Sequence, residues 1–156
     1  MSRRAVTGML AASALITSGV IGPAAAQQTE TASGSQDQTM KMRIIMDDRT
    51  LTATLAENPT ARDFASLLPL TLTLSDYAST EKISYLPRKL HPQGAPDGID
   101  PIVGDIAYYA PWGNLAIFHQ DFRYSPGLIR LGVIDAGTDM FARPGSMKVT
   151  IELVGN

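Results

Sequence analysis

The chain contains no cysteine. For an exported protein this excludes a disulfide framework and any thiol for lipid attachment, so stability must come from burying apolar side chains. Histidine is almost as scarce. His91 and His119 are too far apart to make an i, i+4 ligand pair, and with no cysteine beside them no metal is expected. Positive charge is also short, with 13 basic residues against 15 acidic ones. Setting aside Arg3 and Arg4, which precede an apolar N-terminal run, leaves 11 against 15, a net of about −4. Such a surface repels phosphate backbones, and no basic stripe compensates, so nucleic acid is not an expected partner. There is no G-x-S-x-G elbow, no serine beside either histidine and no phosphate loop, so no catalytic residue and no cofactor is assigned. Long apolar runs are missing too: residues 9–21 give only about 13 apolar or small positions, too few for a membrane span.

What is present divides the chain into three. Arg3-Arg4, the apolar run and Pro23-Ala24-Ala25-Ala26 read as a secretory signal over residues 1–26, with cleavage before Gln27. Ser2-Arg3-Arg4 begins like a twin-arginine signal but lacks the Phe-Leu that usually follows, so the export route stays open. The expected location is the bacterial periplasm or the medium, with no membrane span after cleavage. Residues 27–39, QQTETASGSQDQT, hold nothing apolar larger than Ala32 and read as a disordered tether. Residues 40–156 then form one domain, since about 130 mature residues suffice for one core and no more.

Within that domain the apolar period is mostly two. Met42, Ile44 and Met46 alternate with Arg43 and Asp47, and Leu51, Ala53 and Leu55 alternate with threonines, which predicts a hairpin with one wet face. Asn58-Pro59 is a helix start, and Ala61, Phe64, Ala65 and Leu68 share one helical face before Pro69 stops it. This short helix is expected to plug one end of the barrel. Leu70, Leu72 and Leu74 predict a strand ending in a turn at Ser75-Asp76. Residues 77–101 carry four prolines and two glycines and read as a long loop, with strand character only over residues 83–86. Residues 104–118, GDIAYYAPWGNLAIF, read as two apolar strands around a Pro-Trp-Gly-Asn corner, and residues 128–134 and 147–153 supply the last strands. Seven or eight strands with one helix are most economically closed into an antiparallel barrel, because closure removes adhesive edges.

The wording of several blocks resembles the bacterial cyclophilin-like proteins: NPTARDFASLLPLTLTLSDY over residues 58–77, LPRKL over 86–90, GIDP over 98–101, and the hairpin of residues 104–118. The resemblance implies a cyclophilin-like closed antiparallel β-barrel of about eight strands with one short capping helix. It does not imply a settled activity. True cyclophilins are prolyl isomerases that write their arginine in an F-x-R-x-I-x-x-F-x-x-Q-G-G-D string, and nothing like it occurs here. Gly113 to Phe118 resembles their G-S-Q-F-F-I strand, but the proline-pocket aromatic falls on Ile117 and the later histidine falls near Leu128. The resemblance therefore implies a retained barrel without the isomerase residues.

The expected function is an exported small-ligand or peptide binding module, with weak peptidyl-prolyl isomerisation or a purely structural role as alternatives. Its contacts are expected at the barrel mouth from Arg88, Tyr109, Trp112, Asn114 and His119. Trp112 is the only tryptophan and either caps the core or offers a face to a ligand. His119 either hydrogen-bonds at the rim or senses pH. Arg88-Lys89 either hold a carbonyl or carboxylate over the mouth or form an ordinary exposed pair. Asp97, Asp100 and Asp105 bracket a glycine, but not at EF-hand spacing, and read as turn formers. For isomerisation, Arg88 or Arg123 would have to replace the missing arginine. Physiological ligand, partner protein and oligomeric state are not written in the sequence.

Overall fold

A computed structural model describes residues 39–155. The signal, residues 1–26, and the tether up to residue 38 lie outside the described residues. The strands are β1 Lys41–Ile45, β2 Thr50–Leu55, β3 Leu70–Tyr77, β4 Glu81–Tyr85, β5 Gly98–Ile99, β6 Asp105–Tyr109, β7 Asn114–Phe118, β8 Ser125–Pro126, β9 Leu128–Ile134 and β10 Met147–Leu153. An α-helix, α1, covers Pro59–Ala65, and a 3-10 helix covers Thr138–Ala142. Eight strands close into an antiparallel barrel in the order β1-β10-β3-β4-β7-β6-β9-β2, and β5 pairs with β8 outside it. The chain is thus the mainly β, closed eight-stranded barrel with one short α-helix that its alternation predicts. Among the described residues no helix is long and apolar enough to cross a membrane.

Alternation decides which side chains fill the interior. Met42 and Ile44 of β1, Ala53 and Leu55 of β2, Leu72 and Leu74 of β3, and Val149 and Ile151 of β10 are all buried in one cluster. Ile106 and Tyr108 of β6 join them with Leu115 and Ile117 of β7. Two short helices close the ends. α1 starts where expected, the Asn58 side chain accepting a hydrogen bond from the Ala61 N–H at 2.8 Å with Pro59 at the first helical position. It joins the end of β2 to the start of β3 and buries Ala61 and Phe64 in the core. At the opposite end the 3-10 helix, which the sequence did not announce, buries Met140 and Phe141.

That second closure depends on a buried lysine. Lys82, opposite Ile117 on β7, points inward and is fully buried. Its ammonium donates to Asp76 Oδ1 and to the carbonyls of Arg143 and Gly145, at 2.5, 2.6 and 2.6 Å. Asp76 in turn accepts from the Gly145 N–H at 2.6 Å. The pair therefore ties the β3–β4 hairpin to the segment that follows the 3-10 helix. Hydrogen bonds from Lys82 and Gly145 also hold the Asp76 carboxyl below the usual carboxylate range.

The same pair explains a departure from the sequence reading. Ser75 and Asp76 are good turn formers, yet β3 continues through them, with Asp76 opposite Lys82 and Tyr77 opposite Glu81. The turn falls instead on Ala78 and Ser79, at φ of 49° and 58°. The long loop is correspondingly shorter, since β3, β4 and β5 claim parts of residues 77–101.

Lys82→Met keeps the apolar stem and removes the charge from three acceptors. It is expected to lower the free energy of unfolding by about 3 kcal/mol in chemical denaturation. Lys148→Met, at an exposed position of β10, is expected to change it by less than about 0.5 kcal/mol.

Candidate functional site

The outward side chains of β7 are buried too. Ala116 and Phe118, with Ala107 of β6 and Leu128 of β9, form a second apolar cluster outside the barrel, flanked by Ile83, Ile99 and Tyr109. Two segments cover part of it, residues 95–103 and 119–127, laced together where Ile99 and Gly98 pair with Ser125 and Pro126. The Phe122 N–H also donates to the Pro101 carbonyl at 3.0 Å, and the Gly127 N–H to the Asp97 carbonyl at 2.7 Å. Gly98 permits the approach, because a Cβ there would lie 2.4 Å from the Ser125 carbonyl oxygen. Beside this strap a cleft of about 350 Å³ remains open over the wall.

Ala116, Phe118 and Leu128 contribute to its apolar floor. The β3–β4 hairpin supplies Tyr77 and Glu81, the β6–β7 corner supplies Tyr109 and Trp112, and the strap supplies Phe122, Arg123 and Tyr124. Gly113, at φ +77°, lets the corner turn back, its N–H donating to the Tyr109 carbonyl at 2.8 Å. Trp112 is 46% exposed and stands nearly perpendicular to both Tyr77 and Tyr109, with ring centroids 5.6 and 5.4 Å away. Of the two readings left open for it, capping the core is removed: the ring lies on the outer wall.

Three groups around the cleft are left unsatisfied or strained. Asn114 is buried, and its amide donates to the Leu115 carbonyl at 3.2 Å, but its Oδ1 has no partner among the described residues. Glu81, half-buried at the hairpin, has its carboxyl pushed up by burial to about 7. The turn that sets Tyr77 and Glu81 places two consecutive non-glycine residues, Ala78 and Ser79, in the left-handed region. Each such residue costs of order 1–3 kcal/mol unless its surroundings hold it there.

Tyr109, Trp112 and Asn114 thus line one cleft. The other two residues singled out from the sequence lie elsewhere. Arg88 is bound to α1, donating to Asp63 Oδ2 and Oδ1 at 3.1 and 2.6 Å and to Ser66 Oγ at 3.0 Å. The Arg88 guanidinium holds the Asp63 carboxyl down at about 2, with burial opposing and the His91 N–H assisting. His119 lies just past β7, its N–H bonded to the Thr80 carbonyl at 3.0 Å and its buried Nδ1 without a partner among the described residues. Burial and then the Lys82 charge depress its imidazole, while Asp76 opposes them. The cleft is on the barrel's outer wall, not at the mouth. Ile117, the implied counterpart of the proline-pocket aromatic, points into the core, whereas Leu128 lies in the cleft floor. Asp105 is no free oxygen donor, being fully buried and paired in a fork with Arg130 at 2.9 and 2.7 Å.

Glu81 was missed by sequence reasoning. Its only signal is a charge at an outward strand position beside an apolar neighbour wall, which a single sequence does not separate from an ordinary wet face. Because its folded pKa lies above the unfolded value, folding favours the protonated acid, and the cost of its charge grows as pH rises through about 4.5 to 7. Glu81→Gln is therefore expected to stabilise the protein at pH 8 by about 1–2 kcal/mol, allowing for solvent screening, and to give no gain at pH 4. Thermal melts of both proteins at the two pH values check the sign.

The profile of the cyclophilin-like family matches residues 44–152. Among solved structures, the chain is similar to the solution structure of a hypothetical protein from Archaeoglobus fulgidus, at 19% identity and a TM-score of 0.53. That match covers 76% of this chain and 98% of the archaeal one, and at such identity it speaks for the fold alone. No curated protein matches the chain. By its profile match and its closed barrel, the chain belongs to the cyclophilin-like family.

Proposed function

We propose that the chain is an exported binding module whose outer-wall cleft takes a small-molecule or peptide ligand. One observation carries the reading: the sole tryptophan, half-exposed, stands between two tyrosines over an apolar floor that the strap leaves uncovered. Aromatic walls with a few unmet polar groups and a volume of this order suit a ligand of a few residues' size. Ligand addition is expected to shift Trp112 fluorescence. Trp112→Ala is expected to weaken binding at least tenfold, read by calorimetry, while leaving the melting temperature within a few degrees. A large loss of stability would instead make Trp112 a structural element and remove it from the site.

A second reading, weak prolyl isomerisation, rests on Arg123. Its guanidinium lies 5.4 Å from the Phe122 ring centroid beside the same apolar floor. A guanidinium near a bound prolyl bond can lower the barrier electrostatically, without a covalent step. Arg88, held by Asp63, is not available for this. A protease-coupled assay on an Ala-Pro peptide is the test: acceleration lost in Arg123→Ala supports it, and the uncatalysed rate dismisses it.

A further inference from the structure

The groups that the cleft leaves without partners share one property: they are electron-rich. Asn114 Oδ1 is a buried acceptor with no donor among the described residues, on a residue only 2% exposed that lines the cleft. Glu81 offers a carboxyl whose perturbation comes from burial, with no cation offsetting it. Tyr77 and Tyr109 each meet Trp112 edge to face, as aromatic pairs ordinarily pack, and ring faces of this kind attract a cation when they line a cleft. Within the strap, the Arg123 guanidinium lies 5.4 Å from the Phe122 ring centroid, a cation–ring contact at the edge of the same cleft.

The two acceptors are also far apart. Glu81 pairs with Phe118 and Asn114 with Tyr85, four residues along the same two strands, so they stand about 13 Å apart along the strand direction. Between them runs the Ala116–Phe118–Leu128 floor. A compact ion cannot reach both. A ligand that satisfies both is elongated, has an N–H at one end and a positive charge at the other, and is apolar between.

We propose that the cleft is specific for short basic peptides, an amide N–H donating to Asn114 Oδ1 and a lysine-type ammonium seated against Glu81 and the aromatic walls. This rests on the binding-module reading and adds a charge requirement to it. Binding is then linked to a proton, because the ammonium needs the carboxylate form of Glu81. The charged groups around Glu81 are few. Tyr77 faces it from β3, Arg123 and Tyr124 belong to the strap, His119 lies just past β7, and Lys82 and Asp76 turn inward to each other. Burial alone raises the Glu81 carboxyl, with no charge on these groups opposing it.

The test uses the peptide Ac-Ala-Lys-Ala-NH2 and its counterpart with the lysine acetylated, titrated into the purified chain by Trp112 fluorescence and calorimetry. With a carboxyl near 7, the ionised fraction rises about tenfold between pH 6 and pH 8, so the lysine peptide is expected to bind about tenfold tighter at pH 8. At pH 7 it is expected to release about half a proton, read from calorimetry in buffers of different ionisation enthalpy. Glu81→Gln, close to isosteric, is expected to flatten the pH dependence and suppress the proton release. Equal affinity for the two peptides, or binding of the lysine peptide without proton release, overturns the charge requirement and leaves the binding-module reading standing. Absence of binding by either peptide overturns the basic-peptide proposal. If Trp112 fluorescence also fails to respond to a broad set of neutral and acidic small ligands, the binding-module reading falls with it.

Discussion

Strand β7 is buried on both faces, and much of the molecule outside the barrel interior follows from that. A strand in an antiparallel barrel ordinarily needs only its inward side chains covered. Asn114–Phe118 is buried at every position. Leu115 and Ile117 are satisfied by the interior, whereas Ala116 and Phe118 require a second covering layer. The strap of residues 95–103 and 119–127 is that layer, and its two-residue β5–β8 pairing is the minimum that holds two irregular segments together. Because the strap covers only part of the wall, a cleft is left beside it.

The barrel was legible because its signal is repeated and local. Alternation in β1, β2, β3 and β10 states which side faces in, and Asn58-Pro59 states where a helix starts. The far closure was not legible. Lys82 reads as a surface charge, and its burial depends on carbonyls of Arg143 and Gly145 about 60 residues away. The turn at Ala78-Ser79 was displaced by the same cluster, since Asp76 accepts from Lys82 and from the distant Gly145 N–H rather than acting as a turn former. Local preference lost to tertiary pairing in both places.

The candidate site shows the same division. Tyr109, Trp112 and Asn114 lie within one short corner, so a single stretch of sequence brings them together. Placing their cleft at the mouth was wrong in direction, because an apolar run such as DIAYY does not say which of its two buried faces is the interior. Arg88 has the residue type of an anion or carbonyl clamp, but Asp63, 25 residues earlier, already occupies its fork. His119 turns toward the Lys82–Asp76 pair. Glu81 carries no such local signal, because its environment is made by rings from other strands, Tyr77 of β3 and Phe118 of β7.

Away from the cleft several polar groups are paired, Asp105 with Arg130, Asp63 with Arg88, Lys82 with Asp76 and Lys41 with Asp135, although the buried Nδ1 of His119 has no partner among the described residues. Around the cleft the pairing lapses. An amide oxygen is buried unmet, a carboxyl is half-buried without a cation, and two residues hold left-handed geometry without glycine. The turn has a structural task, since it joins β3 to β4 and is closed by the Thr80 N–H donating to the Tyr77 carbonyl at 3.2 Å, whereas the amide oxygen and the carboxyl have none. A Gly or Asn at position 79 would relax the turn, and a glutamine at position 81 would remove the charge cost. The unmet amide oxygen and the uncompensated carboxyl both lie on the cleft, where a partner bringing a donor and a positive charge would satisfy them.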